Sequence, residues 1–212
     1  MMYYIGLGGI GSKRLKTYAN MHPEINDNCF YLDIDLSTKT FLDSDDHFYY
    51  IENNHMQYSS FRVNNKHLFL LEVYRNRLQL FFNKLIHDED ASVMIFATSF
   101  SNFSSGCLHE LIHYLMGIMF LRYHKHTNVS AIIYSKQAYD HKNKYLKNMN
   151  LIFENNENAF LEEYRNNYKN NQCNALFFYD ETHFNYNYTL YLIHDHNFQY
   201  GQNHLSQYYY RF

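Results

Sequence analysis

The stretch Tyr3-Tyr4-Ile5-Gly6-Leu7-Gly8-Gly9-Ile10-Gly11-Ser12-Lys13-Arg14-Leu15 decides the reading of this chain. The whole sequence holds 7 glycines, and four of them, Gly6, Gly8, Gly9 and Gly11, fall inside this one turn. Apolar residues lead in, and an apolar/basic run beginning at Leu15 leads out. That is the pattern of a strand, a tight backbone turn and a helix start. Without Cβ atoms the turn can adopt positive φ and let a ligand approach the main chain. A helix start offers N–H groups that lack intrahelical partners, which suits phosphate. Gly6–Lys13 therefore reads as a nucleotide-phosphate loop.

Outward from the loop, Ser12 to about Met21 is expected as the first helix. It stops at His22-Pro23, because the residue before proline avoids the helical region. Cys29–Ile34 (C-F-Y-L-D-I) then reads as a second strand, closing a right-handed βαβ unit. Asp33 and Asp35 fall at its carboxyl end, where open α/β sheets bind their ligands. Asp33 lies 22 residues beyond Gly11, the spacing at which dinucleotide folds place an acidic residue for ribose hydroxyls.

Leu36–Asn65 is irregular and polar, with a short strand expected at Phe48–Ile51. Leu68, Leu71, Leu78, Phe82 and Leu85 sit near helical spacing, so Lys66–Ile86 is expected as one long amphipathic helix. Ser92–Ala97 reads as a buried strand, Gly106 to about Arg122 as a helix and Val129–Tyr134 as a strand. Asn158–Lys169 is expected helical and Ala175–Tyr179 extended. This strand–helix rhythm implies an α/β fold: a doubly wound, mostly parallel sheet with helices on both faces. Residues 1–184 form the expected nucleotide-binding domain. Residues 185–212 form an aromatic-rich extension, expected to pack on the same domain.

At 212 residues, with 46% hydrophobic and 18% charged content, the chain can bury a sizeable core and is not of disordered composition. A net charge of −3 gives no reason to expect a nucleic-acid surface. The 3 cysteines, Cys29, Cys107 and Cys173, are odd in number and widely spaced, which suits a reducing compartment. No apolar run approaches the roughly 18–20 residues of a membrane span. A cytoplasmic protein is the expectation.

A second candidate phosphate nest follows the Ser92–Ala97 strand: Thr98-Ser99-Phe100-Ser101-Asn102-Phe103-Ser104-Ser105-Gly106. Its hydroxyls and the helix N–H groups behind it could hold phosphate oxygens. It also reads as an ordinary serine-rich helix cap.

These two loops resemble those of the tubulin/FtsZ superfamily. The family's first loop runs like I-G-V-G-G-x-G-x-N, against Ile5-Gly6-Leu7-Gly8-Gly9-Ile10-Gly11-Ser12-Lys13 here. Its second strand ends like F-I-A-x-N-T-D, against Phe30-Tyr31-Leu32-Asp33-Ile34-Asp35. Its signature loop G-G-G-T-G-S-G is replaced by Ser101-Asn102-Phe103-Ser104-Ser105-Gly106-Cys107, in which Ser104 matches the threonine. The resemblance covers about residues 3–180 and implies GTP or GDP with Mg²⁺. It implies phosphates cradled by Gly6, Gly8, Gly9, Gly11, Ser12 and Lys13, with Ser101, Ser104, Ser105 and Gly106 across the sheet and Asp33 and Asp35 beside them. Asp180 is the candidate for reading the base. Self-association, or association with another filament or assembly protein, is implied in the same way. Full-length family members carry a second domain that this chain is too short to contain. They complete hydrolysis with an N-x-D-x-x-D/E loop from the next subunit, and residues 185–212 contain no such pattern; Asp195 stands between His194 and His196. Little GTP hydrolysis is expected.

Two other readings compete. His109-Glu110-Leu111-Ile112-His113 matches H-E-x-x-H, whose histidines share a helix face and could hold zinc with Glu110 as base. The third ligand would come from Glu154, Glu157, His124 or His126. The loop Gly6–Gly11 also matches G-x-G-G-x-G of E1/ThiF-like adenylating proteins, with Lys39 as the candidate ATP contact.

Overall fold

The structure is a computed structural model. It describes residues 1–44, 46–52, 62–124, 127–134 and 150–168, together with the strand backbones 175–179, 189–194 and 209–211. Among these residues eight strands form one sheet in the order β3-β2-β1-β4-β5-β6-β7-β8. They are β1 (Met2–Leu7), β2 (Cys29–Asp33), β3 (His47–Tyr50), β4 (Ser92–Thr98), β5 (Asn128–Tyr134), β6 (Ala175–Tyr179), β7 (Thr189–His194) and β8 (Tyr209–Arg211). Every pairing from β3 to β6 is parallel; β6–β7 and β7–β8 are antiparallel. β1 is central, its Ile5 opposite both Phe30 and Ile95. The fold is the expected α/β one. Two strands of the region beyond residue 184 extend the same sheet by backbone pairing.

Alternation along the strands sorts side chains onto two layers. Ile5, Leu32, Ile95, Ala97 and Ile133 join one core with α2 (Arg62–Tyr74), α3 (Arg77–Phe81), α4 (Asn83–Ile86), α5 (Asn102–Tyr123) and α6 (Asn150–Tyr168). Tyr31, Phe96 and Tyr134 turn the other way, onto Leu15 and Ala19 of α1 (Gly8–Met21). α5 carries Leu108, Leu111, Ile112, Leu115 and Met119 at helical spacing, all buried. Each such side chain taken from water contributes roughly 1.5–3 kcal/mol, which is what holds α5 across the sheet.

Several element boundaries differ from the sequence reading. α1 begins at Gly8, not Ser12, because Gly8 takes φ +73° and turns the chain into the helix within one residue. α1 does end at Met21, and the His22 N–H bonds back to the Tyr18 and Ala19 carbonyls before Pro23. The long helix expected over Lys66–Ile86 is three pieces. The polar run Arg75-Asn76-Arg77 interrupts it, and Asn76 adopts a left-handed φ of 57°. Phe69 and Glu72 of α2 are buried, while Leu71, assigned to the core from spacing, is exposed. α5 begins at Asn102, four residues before Gly106, and α6 at Asn150 rather than Asn158.

Candidate functional site

The strand order reverses between β1 and β4, and the site lies at the carboxyl ends of the strands around that point. The four glycines of the first turn have different tasks there. A Cβ on Gly6 would sit 2.6 Å from Ser12 Cα, and one on Gly11 would overlap the Phe96 carbonyl oxygen. These two glycines let α1 lie directly on β1 and β4. Ser12 is fully buried, and its hydroxyl donates to Gly6 O at 3.2 Å. Gly6, Gly11 and Ser12 form the seam between helix and sheet. Gly8 makes the left-handed turn, and Gly9 faces outward with its nearest neighbours Thr38 and Asp33.

At the end of β2, Asp33 is only 3% exposed. Its carboxylate accepts from Thr38 Oγ1 at 2.5 Å and from the Ile34 N–H at 2.8 Å. Burial pushes its pKa up to about 6 against the lowering effect of those hydrogen bonds. Asp35 is exposed; its Oδ1 accepts from Ser37 N at 2.8 Å and opens a short 3-10 turn, Leu36–Phe41. Beyond it, Asp43 and Asp46 grip the buried Lys16 of α1 at 2.5 and 2.9 Å. Burial disfavours the Lys16 charge, but the two carboxylates outweigh it and raise the ammonium's pKa.

The second turn spends its hydroxyls on itself. Ser104 Oγ accepts from Thr98 N at 2.8 Å, Thr98 Oγ1 donates to Ser101 Oγ at 2.7 Å, and Ser105 Oγ donates to Ser101 O at 2.5 Å. Asn156 of α6 donates to Phe100 O at 3.0 Å, and the Ser99 hydroxyl donates to Glu157. Ser104, Ser105 and Gly106 all lie inside α5. A Cβ on Gly106 would come within 2.6 Å of Arg62 O, so this glycine is there for helix packing.

The N-termini of α1 and α5 meet at one cavity of about 840 Å³. A Cβ on Gly8 would lie 3.7 Å from Ser104 N, so the two helix starts are immediate neighbours. No side chain caps either one, and neither has an acidic residue in its first turn. The start of α1 lines the cavity with Gly8, Gly9 and Ile10, and the start of α5 with Asn102 and Phe103, next to Ser101. The β2 side adds Asp33, Ile34 and Asp35, then Ser37, Thr38 and Phe41. Lys13, Arg14 and Thr17 of α1 and Asn65 of α2 complete the wall. Of the residues singled out in the sequence, Gly8, Gly9, Lys13, Asp33, Asp35 and Ser101 line this space; Gly6, Gly11, Ser12, Ser104, Ser105 and Gly106 do not. Thr38, Phe41 and Asn65 were missed, because they lie in or next to a stretch without periodicity. Thr17 was within reach of sequence reasoning, being one helical turn from Lys13.

The H-E-x-x-H helix is built differently from a metal site. His109 is 4% exposed and stacks on Phe160 at 5.3 Å, and burial lowers its pKa to about 4. His113 is exposed. Glu110 pairs with Lys66 at 2.6 Å, and Lys66 also holds Glu163 at 2.8 Å. Arg62 pairs with Glu163 as well, so this network ties α2, α5 and α6 together. Among the described residues no three His, Cys, Asp or Glu come together as metal ligands. Lys39, the candidate of the adenylating reading, is exposed and outside the cavity lining. His126, Cys173, Asp180, Asp195 and His196 lie outside the described residues. No described helix is long and apolar enough to cross a membrane.

No protein-family model matches the sequence, and no curated protein does. Among solved structures, CetZ from Methanosaeta thermophila strain DSM 6194, a protein of the tubulin/FtsZ family, matches with a TM-score of 0.58 at 13% identity. The match covers 84% of this chain and 44% of that one, so the chain spans less than half the length of this neighbour. The likeness is one of fold.

Proposed function

We propose that this chain is a divergent tubulin/FtsZ-like protein that binds a nucleotide at the switch-point cavity and acts as an assembly module with little hydrolysis of its own. The observation that carries the reading is the meeting of two uncapped helix N-termini on one cavity. Their N–H groups and dipoles favour an anion, and Gly9 leaves the main chain open to it. Lys13 and Arg14 on the same wall add positive charge. The guanine base and self-association come from the resemblance to tubulin/FtsZ proteins. Mg²⁺ keeps most of its waters and takes phosphate oxygens, so it would accompany the nucleotide without a protein cage.

One feature supports weak hydrolysis: Phe103 lines the cavity where the family's signature loop has a glycine, and a residue with a side chain there leaves less room for the main chain to approach a terminal phosphate.

Calorimetry with GTP, GDP and pyrophosphate tests the binding. All three should bind the wild-type chain, and Gly9→Val should abolish binding while the circular dichroism stays nearly unchanged. Unaltered binding by a folded Gly9→Val protein, or no binding by wild type, overturns the reading. Phosphate release from GTP should stay negligible as protein concentration rises. An increase would mean that subunits complete each other's sites.

A further inference from the structure

We infer that Asn102, the first residue of α5, offers a side-chain N–H to a phosphate oxygen in the cavity, and that Asn156 of α6 is the positioning residue that sets its amide for this. The inference rests on the phosphate reading above and adds a recognition group that is a side chain, where the two helix starts supply main chain. The family's signature loop has a glycine at the place of Asn102, so this donor is a feature of this chain.

α6 reaches the second turn through one face. Phe153, Asn156, Phe160 and Glu163 follow one another at spacings of three and four, so they share that face. Phe153 meets the ring of Phe100 edge-on at 5.3 Å, Phe160 stacks on His109, and Glu163 pairs with Arg62 and Lys66. Asn156 lies between these anchors and is only 8% exposed. Its amide is thereby held against the turn.

The hydrogen bonds there allow one orientation of both amides. The Phe100 carbonyl oxygen lies 3.0 Å from Asn156 Nδ2. A carbonyl only accepts, so the Asn156 nitrogen must be the atom on that side. This nitrogen carries two hydrogens, and it donates the other to Asn102 Oδ1 at 2.6 Å. The reverse setting of Asn102 would bring two N–H groups face to face. A backbone carbonyl thus fixes Asn156, and Asn156 fixes Asn102. With Oδ1 committed to α6, what Asn102 has left to offer is its nitrogen, with two hydrogens, on the opposite side of the amide. Asn102 lines the cavity between Ser101 and Phe103. A donor at that wall suits an anion, whereas the flipped amide would set an oxygen against it.

Calorimetry on the full chain with pyrophosphate and GDP, beside thermal unfolding of each variant, is the experiment. Asn102→Ala should weaken both ligands about tenfold, the order of one hydrogen bond to a charged group. Asn102→Asp keeps the shape and still accepts from Asn156, but sets a like charge against the anion. It should weaken both ligands about a hundredfold. Its melting temperature should not fall, because an acidic residue in the first turn of a helix is favourable. Asn156→Ala should weaken both ligands severalfold in the wild-type background and no further in Asn102→Ala, a pattern that loss of packing alone does not give. Undiminished pyrophosphate affinity in folded Asn102→Ala and Asn102→Asp overturns the inference and leaves the phosphate reading standing. Losses for GDP alone also overturn it, since the donor would then not serve the phosphates. A loss from Asn156→Ala as large in Asn102→Ala as in wild type overturns the positioning role of Asn156. Failure of wild type to bind pyrophosphate removes the phosphate reading itself, and this inference with it.

Discussion

Two strand-to-helix turns face one cavity and use their backbones in opposite ways. After β1 the chain turns through glycines, and the absence of side chains keeps the main chain of Gly8 and Gly9 open on the cavity. After β4 it turns through hydroxyls, and Thr98, Ser101, Ser104 and Ser105 bond to one another and to the local backbone. α6 then locks the second turn through Asn156 and Glu157. The first turn is open to a ligand, whereas the second is a stiff wall that contributes its helix end and little else. The sequence ranks them in the same order, because a glycine turn lets a ligand reach the main chain whereas a serine-rich loop also reads as an ordinary helix cap.

The sharpest way to break this comparison is within the glycine turn itself. Gly11→Val would drive a side chain into the Phe96 carbonyl, and we expect a loss above about 4 kcal/mol or no folded protein. Gly9→Val meets only the Thr38 hydroxyl and Asp33 carboxylate at 3.2 and 3.5 Å, and should cost roughly 1–3 kcal/mol as a tight fit. Equal losses in thermal unfolding would erase the division between seam glycines and cavity-lining ones.

A smaller effect concerns the carboxylate beside Gly9. Unfolded, Asp33 titrates near 3.8; folded, burial raises it to about 6. The folded state therefore holds the extra proton between those values, and this group's contribution to stability falls as pH rises from about 4 to about 6. The full effect is at most roughly 3 kcal/mol for a shift of about two units. Asp33→Asn should gain on wild type across that window in denaturant titrations, with the gain complete by about pH 7. A difference that does not change with pH would show that Asp33 is not held in a desolvated state. The smallest effect belongs to the serine turn. Ser104→Ala leaves the buried Thr98 N–H without its acceptor, at about 1–2 kcal/mol, and should leave GDP affinity unchanged. A large loss of affinity with little loss of stability would make the second turn a ligand loop after all.

The sheet and the place of the cavity were legible in the sequence because buried strands and a glycine turn are local signals. Tyr3–Ile5, Cys29–Ile34 and Ser92–Ala97 are short apolar runs bounded by polar ones, and they became β1, β2 and β4. What was hidden depends on contacts between distant segments. That Gly11 packs on Phe96 while Gly9 meets Thr38 follows from how α1 crosses the sheet, and no spacing rule separates two glycines two residues apart. Leu71 looked like core and Glu72 did not, yet Tyr49 and Arg77 partner Glu72 inside while Leu71 is exposed. The 36–43 segment carries no periodicity, so Phe41 gave no sign of facing the cavity.

The position of β1 also bears on how the protein reaches its folded state. Ile5 pairs with Phe30 on one side and with Ile95 on the other, and the second pairing closes a loop of 90 residues. Bringing such remote segments together loses chain entropy before any contact repays it, so assembly of this sheet should be slow for its size. The cavity comes into being late on that route, because its walls run from Gly8 to Phe103 and no early fragment contains both helix starts. A ligand held there would favour only the completed arrangement and would stabilise it by mass action in proportion to ligand concentration and affinity.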